Sequence, residues 1–174
     1  MDLLRDAGVA ARARVLDVGC GSVLLARELV AAGFEVHGID ASPAMTDLVR
    51  EFAPTATFEV LPLPARATAD VARGPTTASK AGPSAADAIV STGHALNYLD
   101  SREEIAAALA ELARALPSGG VIAIDLMTEA YCQARETVPV HAKFEDDWAI
   151  LTRFSRPAPF RYDRDITVFR RIDV

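Results

Sequence analysis

Cysteine is scarce in this chain. Its 174 residues hold only Cys20 and Cys132, in unrelated contexts that match no metal-ligand spacing. Neither a disulfide framework nor a metal site is therefore expected, and both thiols should be reduced. Basic residues do not dominate: 18 Lys and Arg against 24 Asp and Glu leave a formal charge of −6, whereas a nucleic-acid partner normally asks for a basic face. No apolar run approaches the roughly 20 residues that span a bilayer. Met1-Asp2-Leu3-Leu4-Arg5-Asp6 also lacks the apolar core of a signal peptide, so a cytoplasmic chain is expected. What is plentiful is apolar side chain, 51% of the residues, which at this length predicts one domain with a sizeable core.

That core is organised around Val15-Leu16-Asp17-Val18-Gly19-Cys20-Gly21-Ser22-Val23-Leu24-Leu25. A short apolar strand stops at two glycines and becomes a helical pattern, which is a strand handing over to a helix through a tight turn. Glycines there let backbone approach a ligand, and the helix start offers N–H groups and a positive dipole end to an anionic group. Helix A is expected from Ser22 to Ala32, with Leu24, Leu25 and Leu29 facing the sheet and Gly33 as its stop. A second strand, Phe34 to Ile39, delivers Asp40 nineteen residues beyond Gly21, where a carboxylate can accept two hydrogen bonds from ribose hydroxyls. Ser42-Pro43 then opens a helix carrying Met45, Leu48, Val49 and Phe52 at helical spacing.

Thr57–Leu61 reads as a third strand, after which four prolines and two glycines between Pro62 and Ala86 predict a long mobile loop. Asp87–Ser91 is a fourth strand leading into Thr92-Gly93-His94. Ser101 and Glu104 form a capping box for a helix whose buried stripe is Ile105, Leu109, Leu112 and Leu116. After Gly119-Gly120, the run Val121–Leu126 fits a fifth strand buried on both faces. Strands alternating with helices predict an α/β, doubly wound, mostly parallel sheet in the order 3-2-1-4-5. Trp148–Phe154 and Asp165–Arg171 alternate as an antiparallel strand pair across Pro157 and Pro159.

The ordered set Asp17-Val18-Gly19-Cys20-Gly21, Gly38-Ile39-Asp40-Ala41-Ser42-Pro43-Ala44-Met45, Ala95-Leu96-Asn97-Tyr98-Leu99 and Pro117-Ser118-Gly119-Gly120 resembles the class I S-adenosylmethionine-dependent methyltransferases, in their small-molecule branch with a Rossmann-like core. The resemblance covers roughly residues 8 to 128. It implies S-adenosylmethionine as cofactor, held by Asp17, Gly19, Cys20, Gly21, Asp40, Ala41, Met45, Thr92, Gly93 and His94. It also implies a core over 1–128 and an antiparallel, substrate-covering extension of the same domain over 129–174. Family members carry a longer N-terminal cover and a more complete sheet. The chain is accordingly expected to be a truncated or a naturally reduced form. The partners expected are a small-molecule substrate and, as an option, a second copy of the chain, with no nucleic acid and no membrane.

Each site residue has a plainer alternative. Asp17 either orients the turn and the cofactor's ammonium or merely caps helix A. His94 follows the fourth strand and either acts as general base, since histidine changes charge near neutral pH, or only hydrogen-bonds its loop. Cys20 contributes backbone, for want of a partner that would make it a nucleophile. His37 and His141 read as structural or solvated, and Trp148, Phe154 and Phe160 as either an apolar substrate pocket or the core of a small sheet. Leu24 stands where a dinucleotide fingerprint has its third glycine, which argues against NAD. Val23 stands where the methyltransferase pattern has one, and either is tolerated or narrows the pocket. The enzyme reading is a small-molecule methyltransferase. Its rival is a non-catalytic remnant of the same fold that binds a nucleotide weakly or serves as a partner subunit.

Overall fold

The computed structural model describes residues 2–21, 24–45, 53, 55–64 and 85–172. Val23, the helix positions Leu48, Val49 and Phe52, and most of the stretch read as a loop, 65–84, lie outside the described residues. The chain forms two compact units, Met1–Leu126 and Met127–Val174. Among the described residues no helix is long and apolar enough to cross a membrane.

The first unit is a five-stranded parallel sheet, β1 (Arg14–Val18), β2 (Glu35–Asp40), β3 (Thr57–Val60), β4 (Ala88–Ser91) and β5 (Val121–Ile124), in the order β3-β2-β1-β4-β5. The predicted fold class and strand order are those observed. A short helix α1 (Asp2–Asp6) precedes β1, and Gly8 ends it at φ 84°. Because strand side chains alternate, Val15, Ala88 and Val90 join one apolar cluster with Ala26 and Leu29 of α2 (Leu24–Ala31). Leu16, Val18 and Ile89 join another with Leu112 and Ala115 of α3 (Arg102–Ala115). Both faces of the central strands are thus covered, as a parallel sheet requires.

Two packing expectations are corrected. Leu24 is 68% exposed, and Ala26 with Leu29 makes the buried stripe of α2, because residues three apart share a helix face. The strand expected over Val121–Leu126 ends at Ile124 and is half-buried throughout, since β5 is an edge strand with a single neighbour.

The capping box at Ser101 is present. Ser101 Oγ accepts from Glu104 N at 3.1 Å, and Glu104 Oε2 accepts from Asp100 N at 3.0 Å. Ser101→Ala leaves the Glu104 N–H without its side-chain acceptor and should cost about 1 kcal/mol, read as a lowered midpoint in urea at unchanged slope; an unchanged midpoint would show that the cap contributes nothing.

The second unit holds a helix that sequence patterning does not reveal, α4 (Glu129–Glu136), capped by Thr128. Its sheet has three strands, β6 (Val140–Phe144), β7 (Trp148–Ala158) and β8 (Arg161–Arg170), in place of the expected pair. The charged stretch Lys143–Asp147 is the end of β6 and its turn, closed by Glu145 N donating to Trp148 O at 2.8 Å. The β7–β8 register shifts between Ser155 and Ala158, which accommodates Pro157, a residue with no N–H for the ladder. Arg156 joins Glu129 and Glu136 of α4. The Phe154 ring stacks on Tyr162 at 5.4 Å and meets the edge of His141 at 5.5 Å. Phe154 is half-buried among these rings, whereas Phe160 is 77% exposed at the hairpin tip.

Candidate functional site

Asp17, Asp40, the Thr92-Gly93-His94 stretch and Asp125 lie at the C-terminal ends of β1, β2, β4 and β5. The chain leaves β1 toward β2 on one side and returns through β4 on the other, which makes the ends of β1 and β4 the switch point where doubly wound sheets bind ligands. A cleft of ≈ 830 Å³ lies at the opposite end of the strands, beside Arg14, His37 and Thr57. There His37 Nδ1 bonds Thr57 Oγ1 at 2.8 Å, with Glu59 3.7 Å from His37 Nε2, and the Asp87 carboxylate is paired with Arg14 at 3.1 Å.

The glycine turn is built as its sequence implies. Gly19 and Gly21 have φ 67° and 44°, the left-handed region that glycine enters without a side-chain penalty. A methyl built on Gly19 would lie 2.5 Å from Ala95 Cβ, so the turn also needs glycine to pass the segment after β4. Its N–H groups, however, are already spent inside the protein. Gly19 N and Cys20 N donate to Ile39 O at 2.8 and 3.1 Å, and Gly21 N donates to Asp40 Oδ2 at 3.0 Å. Asp40 Oδ1 accepts from Ser42 N at 2.8 Å. The two motif segments are thereby locked together, with Asp40 held by both.

Asp17 is 1% exposed, and its Oδ2 has no hydrogen-bond partner among the described residues. Burial first, and the nearby Asp40 charge second, push its carboxyl up to about 7. Such a group asks for a cation or a donor, which the described residues do not provide. The same burial, with the charges of Asp17 and Asp40, pushes the Cys20 thiol up to about 12. Cys20 is a core thiol whose backbone closes the turn.

At the end of β4, Ser91 Oγ donates to Val18 O at 2.9 Å, tying the strand to β1. Thr92 and Gly93 follow, exposed, and His94 adopts φ 62° and ψ 34° ahead of a 3₁₀ turn over Ala95–Tyr98. The residue that shapes this corner is Asp125, just past β5. Its Oδ2 accepts from Gly93 N at 3.0 Å and its Oδ1 from His94 N at 2.8 Å, with His94 Nδ1 3.5 Å away. The structure thus brings Asp17, Gly19, Cys20, Gly21 and Asp40 into one cluster and sets Gly93 and His94 on Asp125. Ala41 and Met45 are exposed beyond Asp40. Sequence reading places Ala95 in the motif after the fourth strand and Asp125 in the fifth strand, and gives neither a role in the site. An acid closing an apolar strand, as Asp17 and Asp40 do, was the available signal for Asp125.

Residues 15–120 match the methyltransferase domain family. Among solved structures, the chain is similar to a TehB-like SAM-dependent methyltransferase of Corynebacterium glutamicum, at 24% identity and a TM-score of 0.56, over 81% of this chain and 72% of that one. It is similar to CalS10, an amino pentose methyltransferase of Micromonospora echinaspora seen with SAM bound, at 22% identity and a TM-score of 0.65, over 98% and 73%. It is similar to DesVI of Streptomyces venezuelae at 21% identity and a TM-score of 0.67, over 97% and 73%. No curated protein matches the sequence.

Proposed function

We propose that this chain, which belongs to the methyltransferase domain family, binds S-adenosylmethionine across the ends of β1 and β2 and directs methyl transfer to a small molecule. The observation that carries the reading is the Asp40 carboxylate joined to the glycine turn through Gly21 N. Each Asp40 oxygen accepts one backbone N–H and keeps a second lone pair, which suits the carboxylate to two ribose hydroxyls. The buried Asp17 Oδ2 would hold the cofactor's ammonium, directly or through water, and so gain the partner it lacks among the described residues. Gly19 and Gly21 would let backbone lie close against the ligand.

The cofactor, when bound, supplies a methyl on a sulfonium whose C–S electron pair returns to sulfur on transfer. The protein's own work is then to align an acceptor lone pair with that methyl and to exclude water. His94, at the end of β4, would take the proton that the acceptor's O–H or N–H gives up. CalS10 is an amino pentose methyltransferase, and amino sugars are the acceptor class to try first.

Asp40→Ala should weaken S-adenosylhomocysteine binding by about 1.5 to 3 kcal/mol, the range for hydrogen bonds to a charged group. Calorimetry on the two proteins reads this directly, and equal affinities would remove Asp40 from the site.

A further inference from the structure

The geometry points to a second ligand site, for a small zwitterion of the α-amino acid class with an apolar side chain, in the cleft at the N-terminal ends of the strands. Its residues stand apart from the proposed methyl-transfer site, which lies at the other ends of the same strands.

The cleft, at ≈ 830 Å³, has the size of a small-molecule site. Its rim is charged and its wall apolar, for Arg12, Arg14 and Glu35 line it together with Val30, Phe34 and Val36. The three charges are not equivalent. Arg14 is committed: its Nε and Nη2 donate to the two Asp87 oxygens at 3.3 and 3.1 Å, and Arg14 N donates to the same carboxylate at 2.8 Å. Arg12 is exposed and forms no hydrogen bond or ion pair among the described residues. Glu35, across from Arg14 in the β1–β2 register, is exposed as well. Its carboxylate forms no ion pair among the described residues and acts on Arg14 through its charge.

The backbone places Arg12 on this rim in a strained form. Ala13 N donates to Ala10 O at 3.2 Å, closing a turn whose third residue is Arg12 at φ 64°. Glycine or asparagine supplies that conformation freely, and other residues held in it cluster at functional sites.

Charge then selects the ligand. With Arg14 and Asp87 neutralising each other, the rim offers one cation and one anion. A simple anion would meet Glu35 and a simple cation would meet Arg12, so a ligand carrying both charges satisfies the pair. A carboxylate matches the two-pronged guanidinium of Arg12, and an ammonium donates to the Glu35 oxygens. An apolar side chain would lie against Val30 and Phe34.

The test is amide NMR on the full chain with S-adenosylhomocysteine in excess and L-phenylalanine titrated to millimolar concentration. The amides of Arg12, Phe34 and Glu35 should move with the added L-phenylalanine, and those of Gly19, Gly21 and Gly93 should not. Phenylpropionate and phenethylamine, which each lack one of the two charges, should bind at least about tenfold more weakly, the effect of one charge-assisted contact. Arg12→Gln should weaken L-phenylalanine by a similar factor and leave phenethylamine unchanged, and Glu35→Gln should do the same while leaving phenylpropionate unchanged. Both substitutions are at exposed positions, and both proteins should bind S-adenosylhomocysteine as the wild type does. Amides at the cleft that stay in place, or L-phenylalanine that moves only the glycine-turn amides, would overturn the assignment. So would equal binding of L-phenylalanine by the wild type and both variants.

Discussion

At pH 8, the Asp17→Asn protein should be more stable than the wild type by about 1 to 3 kcal/mol and should bind S-adenosylhomocysteine at least tenfold more weakly. The Asp17 carboxyl keeps its proton up to about 7 in the folded chain, against 3.8 ordinarily. In the folded protein it therefore binds a proton that the unfolded chain has released. The stability it confers is full below about pH 4, declines as pH rises from 4 to 7, and stays lost above that. At 1.36 kcal/mol per pH unit the loss is about 4 kcal/mol. A buried amide with an orphaned N–H gives back about 1 to 3 of that. Thermal unfolding at pH 5 and 8 should show the two proteins converging at the lower pH. The affinity loss has the opposite meaning: the charge that costs stability is the one a cationic ammonium would use. Equal stability at both pH values together with equal affinity would make Asp17 a mere cap of α2.

Gly19→Ala should cost about 2 to 5 kcal/mol. A side chain at φ 67° is strained by about 1 to 2 kcal/mol, and a methyl 2.5 Å from Ala95 Cβ adds the roughly 1 to 3 kcal/mol of an overpacked contact. The two parts separate experimentally. Gly33, at φ 91°, has nothing within 4 Å of an added methyl, so Gly33→Ala should show the strain alone. Adding Ala95→Gly to Gly19→Ala should return the overlap and leave the strain. Denaturant midpoints for the four proteins check this. Equal costs for Gly19→Ala and Gly33→Ala would mean that the β1 turn and the segment after β4 are not in contact.

The parallel sheet was legible because its signals are local. Apolar runs at β1, β2 and β4 stop at Gly19, Asp40 and Ser91, and the burial of Val15 and Leu16 on opposite faces follows from strand geometry. The second unit was less legible. All five residues of β6 are exposed and only Cys132 of α4 is buried, so neither element carries the hydrophobic period that betrays a strand or helix. What orders them is contact across the unit, such as Arg156 with Glu129 and Glu136. The Asp125 clamp was hidden for a related reason. Its partners Gly93 and His94 lie 32 and 31 residues earlier, and no spacing rule connects a strand end to a corner that far away. The availability of the turn's N–H groups could not be read from sequence either, because Ile39 and Asp40 consume them only once the sheet is formed.

Calorimetric titration of the wild-type chain with S-adenosylhomocysteine, and separately with NADH, at pH 7.5 tests the central claim most directly. Two glycines with Asp40 set to receive a ribose, a buried Asp17 Oδ2 without a partner among the described residues, and Leu24 where a dinucleotide site has glycine predict a clear difference between the two ligands. S-adenosylhomocysteine should bind with a Kd on the order of 1 μM or tighter, about −8 kcal/mol, and NADH should give no measurable heat. No heat from S-adenosylhomocysteine, or tighter binding of NADH, would contradict the account.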